Sequence, residues 1–97
     1  MNKEAILHIP DSKFCFAVDE KTVVLRLRTS KYDNFDYVGV IYGSKYDFYK
    51  NQHQIELKKQ YTDNYFDYYI TRIQLEDVRF VYIFKLVENG AENYFCE

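Results

Sequence analysis

Apolar and polar residues alternate along most of this chain with the two-residue period of a half-buried strand. Between positions 22 and 28, Val23, Leu25 and Leu27 face one way, and Arg26 and Arg28 face the other. Helical periodicity is scarce. The pattern predicts seven or eight short strands, at Ala5–His8, Phe14–Val18, Thr22–Arg28, Asp36–Gly43, Ile55–Gln60, Phe66–Ile73, Arg79–Val87 and Asn93–Cys96.

Turn-forming residues separate these runs, as expected when short strands pair antiparallel. Asn89-Gly90 favours a tight hairpin, because both residues tolerate positive φ angles. Seven or eight short strands in 97 residues predict one all-β domain, an immunoglobulin-like antiparallel β-sandwich over residues 1–97. The Cys–Trp–Cys pattern of true immunoglobulin domains is missing, so the label describes architecture only.

The stretch Ser44–Gln54 mixes polar and aromatic residues without a clean period. We interpret it as a long loop between the middle strands. Loops at the ends of a sandwich commonly carry function, because a rigid scaffold positions them while their sequence is free to vary.

Composition narrows the class further. The formal charge is −2, which gives no bulk attraction for phosphate backbones and disfavours nucleic-acid binding, despite basic clusters at Arg26/Arg28 and Lys58/Lys59. No apolar run approaches a membrane span or a secretory signal, so we expect a cytoplasmic protein. Cys15 and Cys96 are expected to be reduced thiols, with a bridge as the alternative if the first and last strands pair.

Catalytic and metal-binding patterns are absent from the sequence. His8 and His53 are the only imidazoles, and no nucleophile is placed beside either of them. The three glycines are scattered, so there is no phosphate cradle. Zinc spacings are missing, and the abundant carboxylates, although suited to calcium, do not follow an EF-hand spacing. We therefore expect no catalytic residue, no metal ligand and no cofactor.

Aromatic residues exceed what a small core needs: the chain has 11 Tyr, 8 Phe and no Trp. Tyrosine clusters suit both protein interfaces and sugar rings, since a phenol combines an apolar face with a polar tip. The alternative is that these rings only cover sandwich ends and strand edges. Two sets fall outside clean strand periodicity: Tyr42, Tyr46, Phe48 and Tyr49, and then Tyr61, Tyr65, Phe66, Tyr68 and Tyr69.

Six short motifs, in order, resemble the N-terminal domain of neopullulanase and cyclomaltodextrinase-type enzymes. They are Glu4-Ala5-Ile6-x-His8-x-Pro10, Val24-x-Arg26-Leu27-Arg28-Thr29, Val40-Ile41-Tyr42-Gly43-x-x-Tyr46-Asp47, Phe66-Asp67-Tyr68-Tyr69, Arg79-Phe80-x-Tyr82-x-Phe84-x-Leu86 and Glu92-x-x-Tyr94-Phe95.

The resemblance implies a carbohydrate-binding module of family 34, from an α-amylase superfamily enzyme of glycoside hydrolase family 13. In such enzymes a catalytic (β/α)8 barrel follows the sandwich and carries all catalytic residues, so this chain would be a fragment without activity of its own. In many members the N-terminal domain of one subunit lies against the barrel of the other, which narrows the cleft and favours cyclodextrins and maltooligosaccharides.

Individual residues carry over sparingly. The resemblance places Tyr46 near the partner's active-site mouth, with Asp47, Phe48, Tyr49 and Tyr42 as further carbohydrate or interface residues. Relatives often have Asp directly after the glycine of this motif, and this chain has Ser44 there. Many relatives also have Trp where this chain has Tyr49 and Tyr69. We therefore expect weak direct sugar binding, with dimer formation and cleft shaping as the main role.

Two rival hypotheses stay open at this point. One is a stand-alone sandwich whose tyrosines bind only protein. The other is a small free-standing enzyme.

Overall fold

Eight strands and one short 3₁₀ helix make up the described part of the chain. The computed structural model describes residues 2–8, 14–46, 48, 50–75 and 79–96. No helix in those ranges is long and apolar enough to cross a membrane. After the 3₁₀ helix Lys3–Ala5 come β1 (Cys15–Ala17), β2 (Thr22–Ser30), β3 (Tyr37–Ser44), β4 (His53–Glu56), β5 (Lys58–Thr62), β6 (Phe66–Gln74), β7 (Phe80–Glu88) and β8 (Ala91–Phe95).

The strands form two four-stranded antiparallel sheets that pack as a sandwich. One has the order β1-β2-β6-β5 and the other the order β4-β3-β7-β8. The long central pairs fix the register, β2 with β6 from Thr22↔Gln74 to Ser30↔Phe66, and β3 with β7 from Tyr37↔Val87 to Ser44↔Phe80. The predicted all-β, immunoglobulin-like sandwich is confirmed.

The core is built from alternate positions of the central strands. Leu25 and Leu27 on β2, Val40 on β3 and Leu86 on β7 have no exposed surface, and Phe84 is 1% exposed. These are the inward faces that the period-2 pattern predicts. Full burial of each such side chain stabilises the fold by about 1.5–3 kcal/mol, so a few positions on three strands account for much of the packing energy.

The predicted strand Ile55–Gln60 is wrong as a single element. The chain leaves one sheet at the end of β4 and enters the other at β5, and Leu57 marks the crossing. Leu57 is 3% exposed, and its N–H donates to the Val38 carbonyl at 2.8 Å. Burying Leu57 between the sheet edges joins the two layers, which alternation alone does not reveal.

The predicted strand Ala5–His8 is also wrong. The 3₁₀ helix Lys3–Ala5 begins at Asn2, whose Oδ1 accepts from the Glu4 N–H at 3.2 Å. After the helix, Leu7 alone forms a bridge, with Arg28 of β2. A single bridge cannot maintain an extended strand once the preceding turn has closed.

His8 is a buried, hydrogen-bonded core residue with 3% exposure. Its Nδ1 lies 2.8 Å from the Arg26 carbonyl, and its Nε2 lies 2.7 Å from the Tyr82 hydroxyl. Because a carbonyl only accepts, Nδ1 carries the proton and Nε2 accepts from Tyr82. These bonds join the N-terminal segment to both sheets. Tyr82 also contacts the buried Cys15 thiol at 3.8 Å, whereas Cys96 is exposed.

The connections gather at two opposite ends of the sandwich. The groove end holds the connection 18–21 together with residues 45, 46, 48, 50–52, 75 and 79, and the turn end holds 31–36, 63–65 and 89–90. Asn89 and Gly90 have φ angles of 52° and 80°, which confirms the predicted hairpin.

Candidate functional site

An open groove of about 1270 Å³ lies at the groove end, between segments that are distant in sequence. The turn before β2, the end of β3, the start of β4 and the segments flanking the 75–79 connection all contribute to it. Its lining includes Lys21, Tyr42, Asn51, His53, Gln74 and Phe80.

Aromatic rings form one wall of the groove. Tyr42 and His53 face each other across the β3–β4 pair, with ring centroids 5.5 Å apart and a 33° tilt. Phe80 stacks on Tyr82 at 5.5 Å, which fixes its ring from below. Flat rings beside the amides of Asn51 and Gln74 suit a polar ligand that has an apolar face, because each kind of group meets its counterpart.

Tyr46 projects from the loop beside this groove. Its side chain is 71% exposed, while its backbone N–H donates to Ser44 Oγ at 3.3 Å. The preceding Lys45 N–H donates to the Arg79 carbonyl at 3.1 Å, which ties the loop to the start of β7. The ring therefore stands in solvent on an anchored base.

Gly43 lets the loop fold back over β3. A Cβ at this position would lie 2.9 Å from the Asn51 carbonyl oxygen and 3.3 Å from Phe48 Cδ1. The first contact is with backbone, which cannot move aside without shifting the loop. The missing side chain therefore permits the close approach that seats the half-buried Phe48.

Asp19 holds the turn at the groove rim. Its Oδ1 accepts from the Lys21 and Thr22 N–H groups, both at 2.8 Å. The Lys21 bond is the largest of the effects that lower the pKa of Asp19 below its usual value. The carboxylate thus supports the rim, with Oδ1 committed to the backbone.

The predicted site residues divide into three groups. Tyr46 and Phe48 lie in the loop, and Tyr42 lies in the groove wall. Asp47 and Tyr49 fall outside the described residues. The role of all five residues in sugar or subunit contact stays a prediction.

Sequence reasoning missed His53, Phe80 and Gln74 as groove residues. The sequence pattern predicts a loop at His53, whereas the structure shows that His53 begins β4 opposite Tyr42. A hairpin register drawn from Tyr42 across the loop would have indicated His53. Nothing local indicates Phe80 or Gln74, since their place depends on how the two sheets stack.

The second aromatic set lies elsewhere. Tyr69 is a core residue at 8% exposure, and burial raises the pKa of its hydroxyl. Tyr61, Tyr65, Phe66 and Tyr68 lie toward the turn end, far along β5 and β6 from the groove. The two sets therefore do not combine into one surface.

Within residues 2–8, 14–46, 48, 50–75 and 79–96, no three His, Cys, Asp or Glu side chains converge as a metal site would require.

The sheet order and the gathered end loops define an immunoglobulin-like β-sandwich domain. More narrowly, the chain belongs to the family described as "Alpha amylase, N-terminal ig-like domain", whose profile matches residues 1–97. The resemblance carried by the six motifs is confirmed. The matched region is this N-terminal domain and not the catalytic domain of such enzymes.

Individual relatives agree with this assignment. The chain is 36% identical over 98 residues to a cyclomaltodextrinase of Thermoanaerobacter pseudethanolicus and 32% identical over 100 residues to one of Geobacillus thermopakistaniensis. It is 29% identical over 100 residues to a maltogenic alpha-amylase of Bacillus acidopullulyticus. In each case the match covers all of this chain and 17% of the relative.

A solved cyclomaltodextrinase structure superposes with a TM-score of 0.90 at 30% identity, covering 98% of this chain and 16% of that one. The chain thus spans about one sixth of the length of these relatives.

Proposed function

We propose that this chain is the non-catalytic N-terminal domain of an α-glucan hydrolase acting on cyclodextrins, maltooligosaccharides or pullulan. In the parent enzyme it promotes dimerisation and shapes the substrate cleft of the partner subunit, with weak carbohydrate contact of its own. Its partners are the catalytic barrels of both subunits and the glucan. The family assignment supports the choice of parent, and the groove end supports the choice of contact surface.

The observation that carries the proposal is the presentation of Tyr46. The Tyr46 ring is 71% exposed and its backbone is anchored through Lys45 and Ser44, so only the side chain itself must be ordered when the ring enters a neighbouring cleft. The anchored backbone limits where the ring can lie, so a second subunit docked on this end would meet it within a small region.

Weak sugar contact follows from the neighbouring groove. Tyr42, His53 and Phe80 offer ring faces, and Asn51 and Gln74 offer amides for hydroxyl groups. The groove is open rather than enclosed, so contacts with one or two sugar units would release only slightly more free energy than association costs. We therefore place cleft shaping before sugar capture.

The test compares the parent enzyme, carrying this chain at its N-terminus, with its Tyr46→Ala and Tyr94→Ala variants. Tyr94 is the control because it is 53% exposed but lies on β8, away from the groove. We expect Tyr46→Ala to lower kcat/KM for cyclodextrin by roughly 2- to 10-fold, the worth of one aromatic contact, and to leave starch hydrolysis less affected.

Sedimentation velocity on the same proteins reports the dimer. Equal cyclodextrin kinetics in both variants would contradict cleft shaping by Tyr46. A monomeric parent enzyme would contradict the subunit contact. Reducing-sugar release from cyclodextrin or pullulan by the isolated chain would overturn the non-catalytic role.

A further inference from the structure

Among the residues that the structure describes, the turn end exposes more aromatic surface than the groove end. Tyr32 is 80% exposed, Tyr65 is 69% and Tyr61 is 48%, whereas at the groove end Tyr46 is the strongly exposed aromatic side chain among the described residues. Large apolar groups gathered in solvent cost free energy unless something covers them, so such clusters often mark contact surfaces.

Two neighbouring turns bring Tyr32 and Tyr65 together. The Lys31 N–H donates to the Tyr65 carbonyl at 3.0 Å, which joins the two turns directly. Tyr32 lies in a turn closed by the Asp33 N–H to the Ser30 carbonyl at 3.2 Å. The two rings therefore arise from adjacent backbone points at the tip of the sandwich.

Asp63 fixes the second turn before any ligand arrives. Its Oδ1 accepts from the Tyr65 and Phe66 N–H groups at 2.8 and 2.7 Å, and its own N–H donates to the Phe66 carbonyl at 2.9 Å. Its Oδ2 accepts from the Tyr68 hydroxyl at 2.9 Å. A turn held by four hydrogen bonds presents Tyr65 in one place, which lowers the entropy cost of binding.

Stacked side chains support the platform from below. Tyr61 stacks on Tyr68 with centroids 4.4 Å apart and planes 19° apart. The Arg28 guanidinium lies 4.0 Å above the Phe66 ring. These contacts order the Tyr61 and Phe66 rings, and Tyr65 meets Phe66 edge to face with centroids 6.4 Å apart. An ordered aromatic ring can receive a flat ligand face.

The acidic side chains Asp33, Asp63 and Asp67 at this end already have partners within the domain, which favours a ligand that offers hydroxyl groups over a cationic one. Asp67 accepts from the Thr62 hydroxyl at 2.7 Å and pairs with Lys59 at 3.3 Å. Asp33 accepts from the Asn2 N–H at 2.8 Å, and Asp63 is engaged as above. A neutral polyhydroxylated chain with flat C–H faces complements exposed tyrosines whose acidic neighbours already have hydrogen-bond partners.

We propose that Tyr32, Tyr61 and Tyr65 form a second α-glucan contact, at the opposite end of the sandwich from Tyr46. The choice of α-glucan as the ligand rests on the proposed function. The groove end contacts the substrate cleft of the partner subunit, and the turn end binds a glucan strand at a distance from that cleft. Affinity lies in the millimolar range, because few sugar units are covered.

The test is an amide chemical-shift titration of this chain with maltoheptaose, to about 20 mM so that millimolar binding is seen. Four proteins are compared: wild type, the double variant Tyr32→Ser/Tyr65→Ser, Tyr46→Ser, and the control Tyr94→Ser. These tyrosines are all more than half exposed, so the variants are expected to fold, and amide dispersion verifies it.

We expect shifts at residues 31–33 and 63–66 in wild type, Tyr46→Ser and Tyr94→Ser, and a response at least fivefold weaker in the double variant. A silent turn end would overturn the proposal, whether or not the groove end responds. So would self-association that the double variant abolishes while maltoheptaose has no effect, because the surface would then bind protein. The kinetic comparison of the Tyr46→Ala enzyme tests the proposed function separately, so its outcome does not depend on this titration.

Discussion

The two ends of the sandwich hold their exposed rings in different ways. At the turn end, short turns are fixed by side chains close in sequence, as Asp63 does for Tyr65 and Phe66. At the groove end, Lys45, Phe48 and Asn51 are held by contacts with distant segments, through Arg79 and the space above Gly43. Local chemistry therefore fixes the Asp63 turn, and packing of separate segments fixes the residues around Tyr46.

We expect the largest loss of folding stability from a substitution at Gly43. Replacing it with Ala places a methyl group 2.9 Å from the Asn51 carbonyl oxygen, so the loop must shift. We expect a loss of about 1–3 kcal/mol in urea unfolding and moved amide signals around Tyr46. Gly39→Ala is the matched control on the same strand, where the nearest atoms to the added methyl belong to the outer part of the Tyr37 side chain and not to the backbone.

We expect Gly39→Ala to change stability by less than about 1 kcal/mol. Equal losses in the two variants would show that the groove-end loop does not depend on the space above Gly43.

Acid should weaken the turn end more than the groove end. Backbone N–H bonds, that from Tyr65 first, lower the pKa of Asp63, and Tyr68 and Arg28 add to the effect. The unfolded carboxyl, with a pKa of about 3.9, binds protons more readily than the folded one. Its contribution is therefore present above about pH 4 and disappears as the pH falls through the lower folded value.

Asp63→Asn should consequently be less stable than wild type at pH 6, and the difference should shrink toward pH 2.5. Asp19→Asn is the control at the groove end, since Asp19 also accepts from two backbone N–H groups but lacks a tyrosine donor. Urea midpoints across this pH range measure both. A larger pH-dependent loss for Asp19→Asn would reverse the comparison.

Removing the stacked ring at Tyr61 should have a moderate effect. The Tyr61–Tyr68 pair, at 4.4 Å, is worth about 0.5–1.5 kcal/mol in stability. Thermal unfolding of Tyr61→Ala measures the loss. Tyr46→Ala is the comparison at the groove end, and a loss as large there would mean that its ring also supports the fold.

The smallest effects are expected for the ring tips themselves. Tyr46 and Tyr65 are 71% and 69% exposed, so their Ser variants should stay within about 0.5 kcal/mol of wild type. If either variant unfolds more easily than that, its ring is structural, and any loss of ligand response would have to be reassigned. Urea unfolding of both Ser variants and the wild type under the same conditions measures these differences in stability.

Much of the fold could be predicted from the sequence because its cause is local. The inward positions Leu25, Leu27 and Phe84 follow from alternation, and the Asn89-Gly90 hairpin follows from residues that tolerate positive φ. The missing strand period marked the aromatic set around Tyr46, and the family resemblance singled out Tyr46 within that set.

The division of positions 53–62 between two sheets depended on the tertiary structure. Alternation through Ile55 and Leu57 continues across the crossing, so one strand and two strands look alike in sequence. The same holds for Tyr69, which grouped with exposed tyrosines in sequence but is buried in the core. Which edge a polar strand joins is decided by distant hydrogen-bonding partners.

The sequence by itself determined the class of domain, its family, the inward faces of its strands and its tight turns, because neighbouring residues dictate each of these. Only the tertiary structure decided that His53, Gln74 and Phe80 share one groove and that Tyr32 and Tyr65 share one tip. Such sites join residues far apart in the chain, and their closeness follows from sheet stacking and register, which no local pattern encodes.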